Sequence, residues 1–213
     1  MVNYGLKDKV ALITGANNPQ GIGATTAFAF ARERAKVVLI YKKIHRQFDQ
    51  SKTDKNGVDR YFEANSGNAD RVESRLKEID DTFAVNVRGS ILMTREMITH
   101  RGDYGRIINI STDASQVFAG QITYGASKAT LEALTRSIAL EVAKYGITVN
   151  CVAPGPTQTG WIDTDLEQSV LPVIPMGKLI QPEDIAETIL FLASEQARML
   201  TGQVIKVSGG HAL

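Results

Sequence analysis

The chain has 213 residues, 24 Lys+Arg against 23 Asp+Glu, a formal net charge of +1 and 43% hydrophobic residues. That length fits one domain with a sizeable core, and the composition excludes global disorder and collagen-like repeats. A near-neutral chain without a long basic run is poorly suited to gripping nucleic-acid phosphates. The single cysteine, Cys151, excludes an intrachain disulfide, a CxxC redox motif and a cysteine-rich zinc site, and no metal site is expected.

The first apolar run, Val10 to Ile13, is too short for a signal-peptide core, and no stretch approaches a membrane span. A reducing, cytoplasmic location is expected. Lys9 to Thr14 reads as a buried parallel strand, followed by a Gly-rich turn from Gly15 to Gly23 and a helix over Ala24 to Arg34. Lys36 to Tyr41 is a second strand, which completes a βαβ unit with a right-handed crossover. Residues 42–65 are polar, with a short strand expected near Tyr61 to Ala64.

A charged helix is expected over Asp70 to Asp80, and another over Thr82 to Thr99 with Phe83, Val87, Ile91 and Met97 near one face. Gly105 to Ser111 is a buried strand, Tyr124 to Tyr145 a long helix and Ile147 to Val152 a strand. A helix opens at Pro182 and runs to about Ser194, and Gln203 to Val207 is the last strand. Strands alternating with helices predict an α/β fold, a Rossmann-type doubly wound parallel sheet in three layers, as a single domain over 1–213.

Gly15, Gly21 and Gly23 sit between a strand and a helix, where glycine lets backbone N–H groups approach a pyrophosphate and the helix start adds partial positive charge. The alternative is a plain tight turn. Five residues separate Gly15 from Gly21, a longer loop than the usual dinucleotide turn. After the second strand, where an acid often binds a ribose 2′-hydroxyl, stand Tyr41, Lys42 and Lys43. Two cations without an acid favour the 2′-phosphate of NADP over NAD, unless they are merely solvated strand-end charges.

Tyr124 and Lys128 lie four apart, hence on one helix face. A cation beside a tyrosine favours the phenolate, so the pair makes sense as a tuned proton donor and acceptor; alone, an exposed surface pair would be the simpler account. Ser111 and Thr112 stand at a strand end, where such sheets place ligands, and Ser111 precedes Tyr124 by 13 residues. Asn86, mid-helix in Val85-Asn86-Val87, is a modest helix former with a plausible role of its own.

In Thr14-Gly15…Gly21-Ile22-Gly23, Val85-Asn86-Val87, Asn109 to Thr112, Tyr124-x-x-x-Lys128, Pro154-Gly155, Pro182 to Ile185, and Thr201 to Gly210, the chain resembles the short-chain dehydrogenase/reductase family. The resemblance covers about 7–41 and 82–210, and rests on the order and spacing of the motifs. It implies an NAD(P)-dependent oxidoreductase interconverting a carbonyl and an alcohol. Tyr124 would be the acid/base and Lys128 would bind the nicotinamide ribose and lower the Tyr124 pKa. Asn86 would hold a relay water, and Ser111 would orient the carbonyl. Counting along the strand selects Thr112 instead of Ser111, and Asp113 beside them is atypical.

The resemblance further implies cofactor contacts from Gly15, Gln20, Gly21, Ile22, Gly23, Tyr41, Lys42, Asn65, Ser66, Pro154, Gly155, Thr157 and Thr159. Asn65 and Ser66 would lie at the adenine, Thr157 at the carboxamide and Thr159 at the pyrophosphate. A substrate lid over about 157–180 carries Trp161 and Met176. One family element is missing: Glu78 to Asp81 joins two helices directly, where a strand with an Asn-Asn-Ala-Gly turn is expected, a deficit of roughly thirty residues. Either the molecule carries residues that the sequence as read omits, or the unit is deleted. The unpaired backbone left at a sheet centre favours the first.

The expected function is a carbonyl reductase using NADP, similar to 3-oxoacyl-[acyl carrier protein] reductases, acting on a small-molecule or acyl-carrier-bound carbonyl. A sugar or polyol dehydrogenase, and a non-catalytic nucleotide-binding regulator on the same fold, are the alternatives. No nucleic-acid or membrane partner is expected. The family resemblance implies a homodimer or homotetramer, with Gly125 to Ala129 compatible with close helix approach.

Overall fold

A computed structural model describes residues 3–16, 18, 20–40, 79–113, 115 and 120–212. Strand β1 (Val10–Thr14) leads through the glycine turn into α1 (Ile22–Arg32) and β2 (Lys36–Ile40), which pairs parallel to β1 with Val10 opposite Lys36. Residues 79–99 run helical, with a π-helical stretch at Ala84–Gly89 ahead of α2 (Ser90–Thr99). Then come β3 (Gly105–Ile110), α3 (Ile122–Val142), β4 (Ile147–Pro154), α4 (Thr164–Val170), α5 (Pro182–Ala193) and β5 (Val204–Val207). Strands β3, β4 and β5 form a second parallel sheet in that order, with Gly105 opposite Ile147 and Cys151 opposite Val204.

The elements match the sequence expectations to within a few residues. The strand near 61–64 and most of the 70–80 helix lie outside the described residues. The apolar face of the 79–99 helix differs from expectation: Phe83, Val87 and Met97 are partly buried and Thr94 is buried, whereas Ile91 is 42% exposed. Eight positions on from Phe83, Ile91 has rotated off the face, within a helix whose turn is widened over Ala84–Gly89.

Successive side chains of a strand point to opposite faces, and the core is divided accordingly. On one face Ile108, Ile110 and Val152 pack with Phe30 of α1 and with Ile185, Ile189 and Leu192 of α5. On the other, Ile107, Ile147 and Val149 pack with Met97, Ala139 and Val142 of α2 and α3. Helices therefore cover both faces of the sheet carrying β3 and β4.

Among the described residues β1 and β3 share no ladder, so the strands fall into a pair and a triplet. They are joined by α1 packing on α5 and by Tyr104. The Tyr104 ring lies between the Lys9 ammonium, 4.1 Å from its centroid, and the Arg106 guanidinium at 4.3 Å, while its hydroxyl donates to the Ala193 carbonyl at 2.6 Å. Val10 is 69% exposed, and the buried Arg106 Nε has no hydrogen-bond partner among the described residues.

Candidate active site

Among the described residues, the expected site residues follow the carboxyl ends of β1, β3 and β4 or stand on the 79–99 helix and α3. At the β1 end, Gly15 turns at φ +72°, and its N–H donates to the Ile40 carbonyl at 2.9 Å. Gly23 must be glycine, because a Cβ there would lie 2.6 Å from the Gly15 carbonyl oxygen. Helix α1 begins at Gly21 without a side-chain cap, which leaves the N–H groups of its first turn for an anion. This uncapped glycine cradle fits a pyrophosphate. Gln20 and Ile22 flank it, and Asn18 bridges it to the 155–160 loop by donating to the Thr159 carbonyl at 3.0 Å. Tyr41, Lys42, Asn65 and Ser66 lie outside the described residues.

Tyr124 and Lys128 occupy the first two turns of α3. Burial raises the Tyr124 phenol above the ordinary tyrosine value and lowers the Lys128 ammonium below the ordinary lysine value. The Lys128 ammonium stands 5.5 Å from the Tyr124 ring centroid and donates to the Ile110 carbonyl at 2.8 Å. Desolvation, rather than the expected cationic lowering, therefore dominates the phenol in this arrangement. The Asn86 amide donates to Ser127 Oγ at 3.0 Å, and Ser127 Oγ donates to the Tyr124 carbonyl at 2.7 Å. The Ser90 hydroxyl donates to the Asn86 carbonyl at 2.9 Å. Asn86, Tyr124 and Lys128 are thus brought together, with α3 packed against the Ala84–Gly89 stretch of the same chain and Ser127 at the contact.

Beyond β3 the backbone keeps its pairing to β4, with Ser111 N–H donating to Val152 O at 2.8 Å and Asp113 N–H to Pro154 O at 3.0 Å. The buried Ser111 hydroxyl donates to Glu132 Oε1 at 2.8 Å, and the Ser115 hydroxyl donates to the same oxygen at 2.5 Å. Thr112 is half-buried, and its hydroxyl has no hydrogen-bond partner among the described residues. The Asp113 carboxylate, 3% exposed, accepts from His211 Nδ1 at 2.7 Å. Cys151, beneath this loop, is inert: burial, reinforced by Glu132, pushes its thiol up to about 12.

After β4, Gly155 passes so close to Ser208 that a Cβ would lie 2.8 Å from the Ser208 Cα. Thr157 bridges to Ile180, its hydroxyl donating to the Gly155 carbonyl at 2.8 Å, and Gln158 N–H donates to Ile180 O at 2.9 Å. These bonds fix both ends of the expected lid segment, and Ile174, Leu179 and Ile180 anchor it in the core. Trp161 and Met176 stay exposed.

Sequence reasoning missed Glu132, Ser127, Ser115, Asn18 and the His211 partner of Asp113. Glu132 was findable, since it lies one turn beyond Lys128 on the same helix. The contact between Asp113 and His211 spans 98 residues, and no local pattern announces it.

The family model described as "Enoyl-(Acyl carrier protein) reductase" matches residues 48–212. A (2S)-[(R)-hydroxy(phenyl)methyl]succinyl-CoA dehydrogenase subunit of Thauera aromatica is 34% identical over 247 residues, covering 98% of each chain. That alignment is longer than the chain's own 213 residues, so the relative carries residues this chain lacks. The 3-oxoacyl-[acyl-carrier-protein] reductase of Staphylococcus aureus (strain N315) is 34% identical over 95% of this chain and 97% of its own. Among solved structures, the 3-ketoacyl-(acyl-carrier-protein) reductase of Brucella melitensis complexed with NADH is 28% identical with a TM-score of 0.76, covering 98% of this chain and 100% of its own.

Proposed function

Because the chain belongs to the short-chain dehydrogenase/reductase family, oxidoreductases that act on alcohols and carbonyls with a nicotinamide cofactor, we propose that it reduces the keto group of a 3-oxoacyl thioester, preferring NADPH. The observation that carries the proposal is Tyr124 and Lys128 on one face of α3, with Asn86 joined to that helix through Ser127 and the glycine cradle tied to the loop after β4 by Asn18. The two full-length relatives described above bear names of coenzyme A and acyl-carrier-protein chemistry, which supports a thioester. Lys42 and Lys43 support the 2′-phosphate.

When bound, the reduced nicotinamide supplies the hydride that reaches the carbonyl carbon. The α1 start and Gly15, Gly21 and Gly23 would hold the pyrophosphate together with Thr159, while the Pro154–Gly155 turn and Thr157 would lie at the nicotinamide and its carboxamide. Tyr124, kept as the neutral phenol by burial, donates its proton to the oxygen that gains charge. Lys128 would bind the nicotinamide ribose. A hydroxyl of the Ser111–Thr112 pair orients the carbonyl; because Ser111 is engaged by Glu132, Thr112 is favoured here. The βα unit that the family resemblance leads one to expect would fall at the 79–81 junction, whether omitted from the sequence as read or deleted, and among the described residues β1 and β3 share no ladder. A homodimer or homotetramer in the cytoplasm completes the proposal; no helix among the described residues is long and apolar enough to cross a membrane.

Titrating NADPH and NADH and following oxidation of each with a 3-oxobutanoyl thioester tests this. NADPH binding tighter by about tenfold or more, a 1.4 kcal/mol preference, with thioester-dependent turnover is expected. Turnover only with a sugar or polyol would replace the substrate assignment, and cofactor binding without any turnover would favour a regulator.

A further inference from the structure

We propose that Asp113 and His211 form a positioning latch that fixes the loop after β3, and with it the hydroxyl that orients the substrate carbonyl. The inference rests on the reductase function proposed above and adds residues to which that function assigns no role. Three loops meet at the Asp113 carboxylate. Its own loop is bonded to the β4 end through Asp113 N–H and Pro154 O. The Gly155 turn lies against it so closely that a Cβ would be 3.0 Å from Asp113 Oδ2. The turn after β5 brings His211 Nδ1 to 2.7 Å from the same oxygen.

A carboxylate only 3% exposed needs a compensating partner, and His211, 25% exposed, supplies one from the solvent side. A carboxylate accepts only, so the imidazole donates from Nδ1. The His211 turn is held in place from its other side by the lid. Met176 N–H donates to Gly209 O at 3.0 Å, and Pro175 lies where a Gly210 Cβ would fall, 2.9 Å away. The latch thus connects the lid, the turn after β5 and the Ser111–Asp113 segment in one contiguous set of contacts. Ser111 and Ser115 are held from the α3 side by Glu132, so the loop is gripped on both flanks.

The test compares wild type, His211→Ala and His211→Asn, whose amide nitrogen can stand where Nδ1 stands. Steady-state reduction of a 3-oxobutanoyl thioester, NADPH binding and amide exchange over 111–115 are measured on each. The latch predicts that His211→Ala lowers kcat by about tenfold or more, the scale on which misplacing a positioned group acts, while NADPH affinity stays within about twofold. It predicts faster exchange over 111–115 with β4 unchanged, and recovery of both kcat and protection in His211→Asn. Unchanged exchange in His211→Ala overturns the latch. So does a parallel loss of NADPH binding that His211→Asn fails to restore. Should the wild type itself turn over no carbonyl, the reductase function fails, and the exchange comparison still decides the latch.

Discussion

At Tyr124 and Lys128 burial pushes both groups toward their neutral forms, and the signs have consequences for pH. A phenol raised above 10.0 stays protonated throughout the neutral range. Carbonyl reduction, which needs the phenol, should therefore hold level from about pH 6 to 9, whereas alcohol oxidation, which needs the phenolate, should climb with pH. A reduction rate that falls through pH 7 to 8 would contradict this. For stability, the lowered Lys128 pKa means the folded state bears the desolvation penalty at all pH values below the folded pKa, and sheds it only as pH rises toward 10.5. Lys128→Met should accordingly abolish turnover without lowering the melting temperature at pH 7. The Tyr124-x-x-x-Lys128 spacing made this pair legible in the sequence, but the direction of the Tyr124 shift was not. It depends on how deeply α3 is packed, which no spacing reveals.

Among the elements, β1 and β2 differ from the rest. Every residue of β4 is buried between two helical layers, while Val10 and Leu12 of β1 are exposed and the strand has one ladder partner among the described residues. A two-stranded ladder is marginal alone, so this pair depends on α1 packing against α5 through residues such as Phe30 and Ile185. Hydrogen exchange should run at least about tenfold faster in β1 and β2 than in β4, because local opening there exposes less apolar surface. Equal protection would mean that β1 has a partner strand. The strands and helices were readable from apolar runs, capping residues and periodicity, as Pro182 shows at the start of α5. Ile91 was misplaced because an apolar residue near the expected phase looks alike whether it faces the core or solvent.

Over the whole molecule, helices cover both faces of β3–β5, Asn18 ties the glycine cradle after β1 to the loop after β4, and relatives align along nearly the full chain. The family was legible because its motifs are short and lie in a fixed order. The contacts that join distant segments were not: Glu132 with Ser115, Asp113 with His211, and Tyr104 between Lys9 and Arg106 arise only when the chain is folded. In the proposed reaction Tyr124 delivers its proton to the oxygen of the carbonyl being reduced. Thioester-dependent NADPH oxidation by wild type and Tyr124→Phe, with NADPH binding measured on both, tests it most directly. Tyr124→Phe should lose about a hundredfold or more in kcat, as expected on removing a general acid, while binding NADPH within about twofold of wild type. A Tyr124→Phe enzyme that keeps its turnover would contradict it.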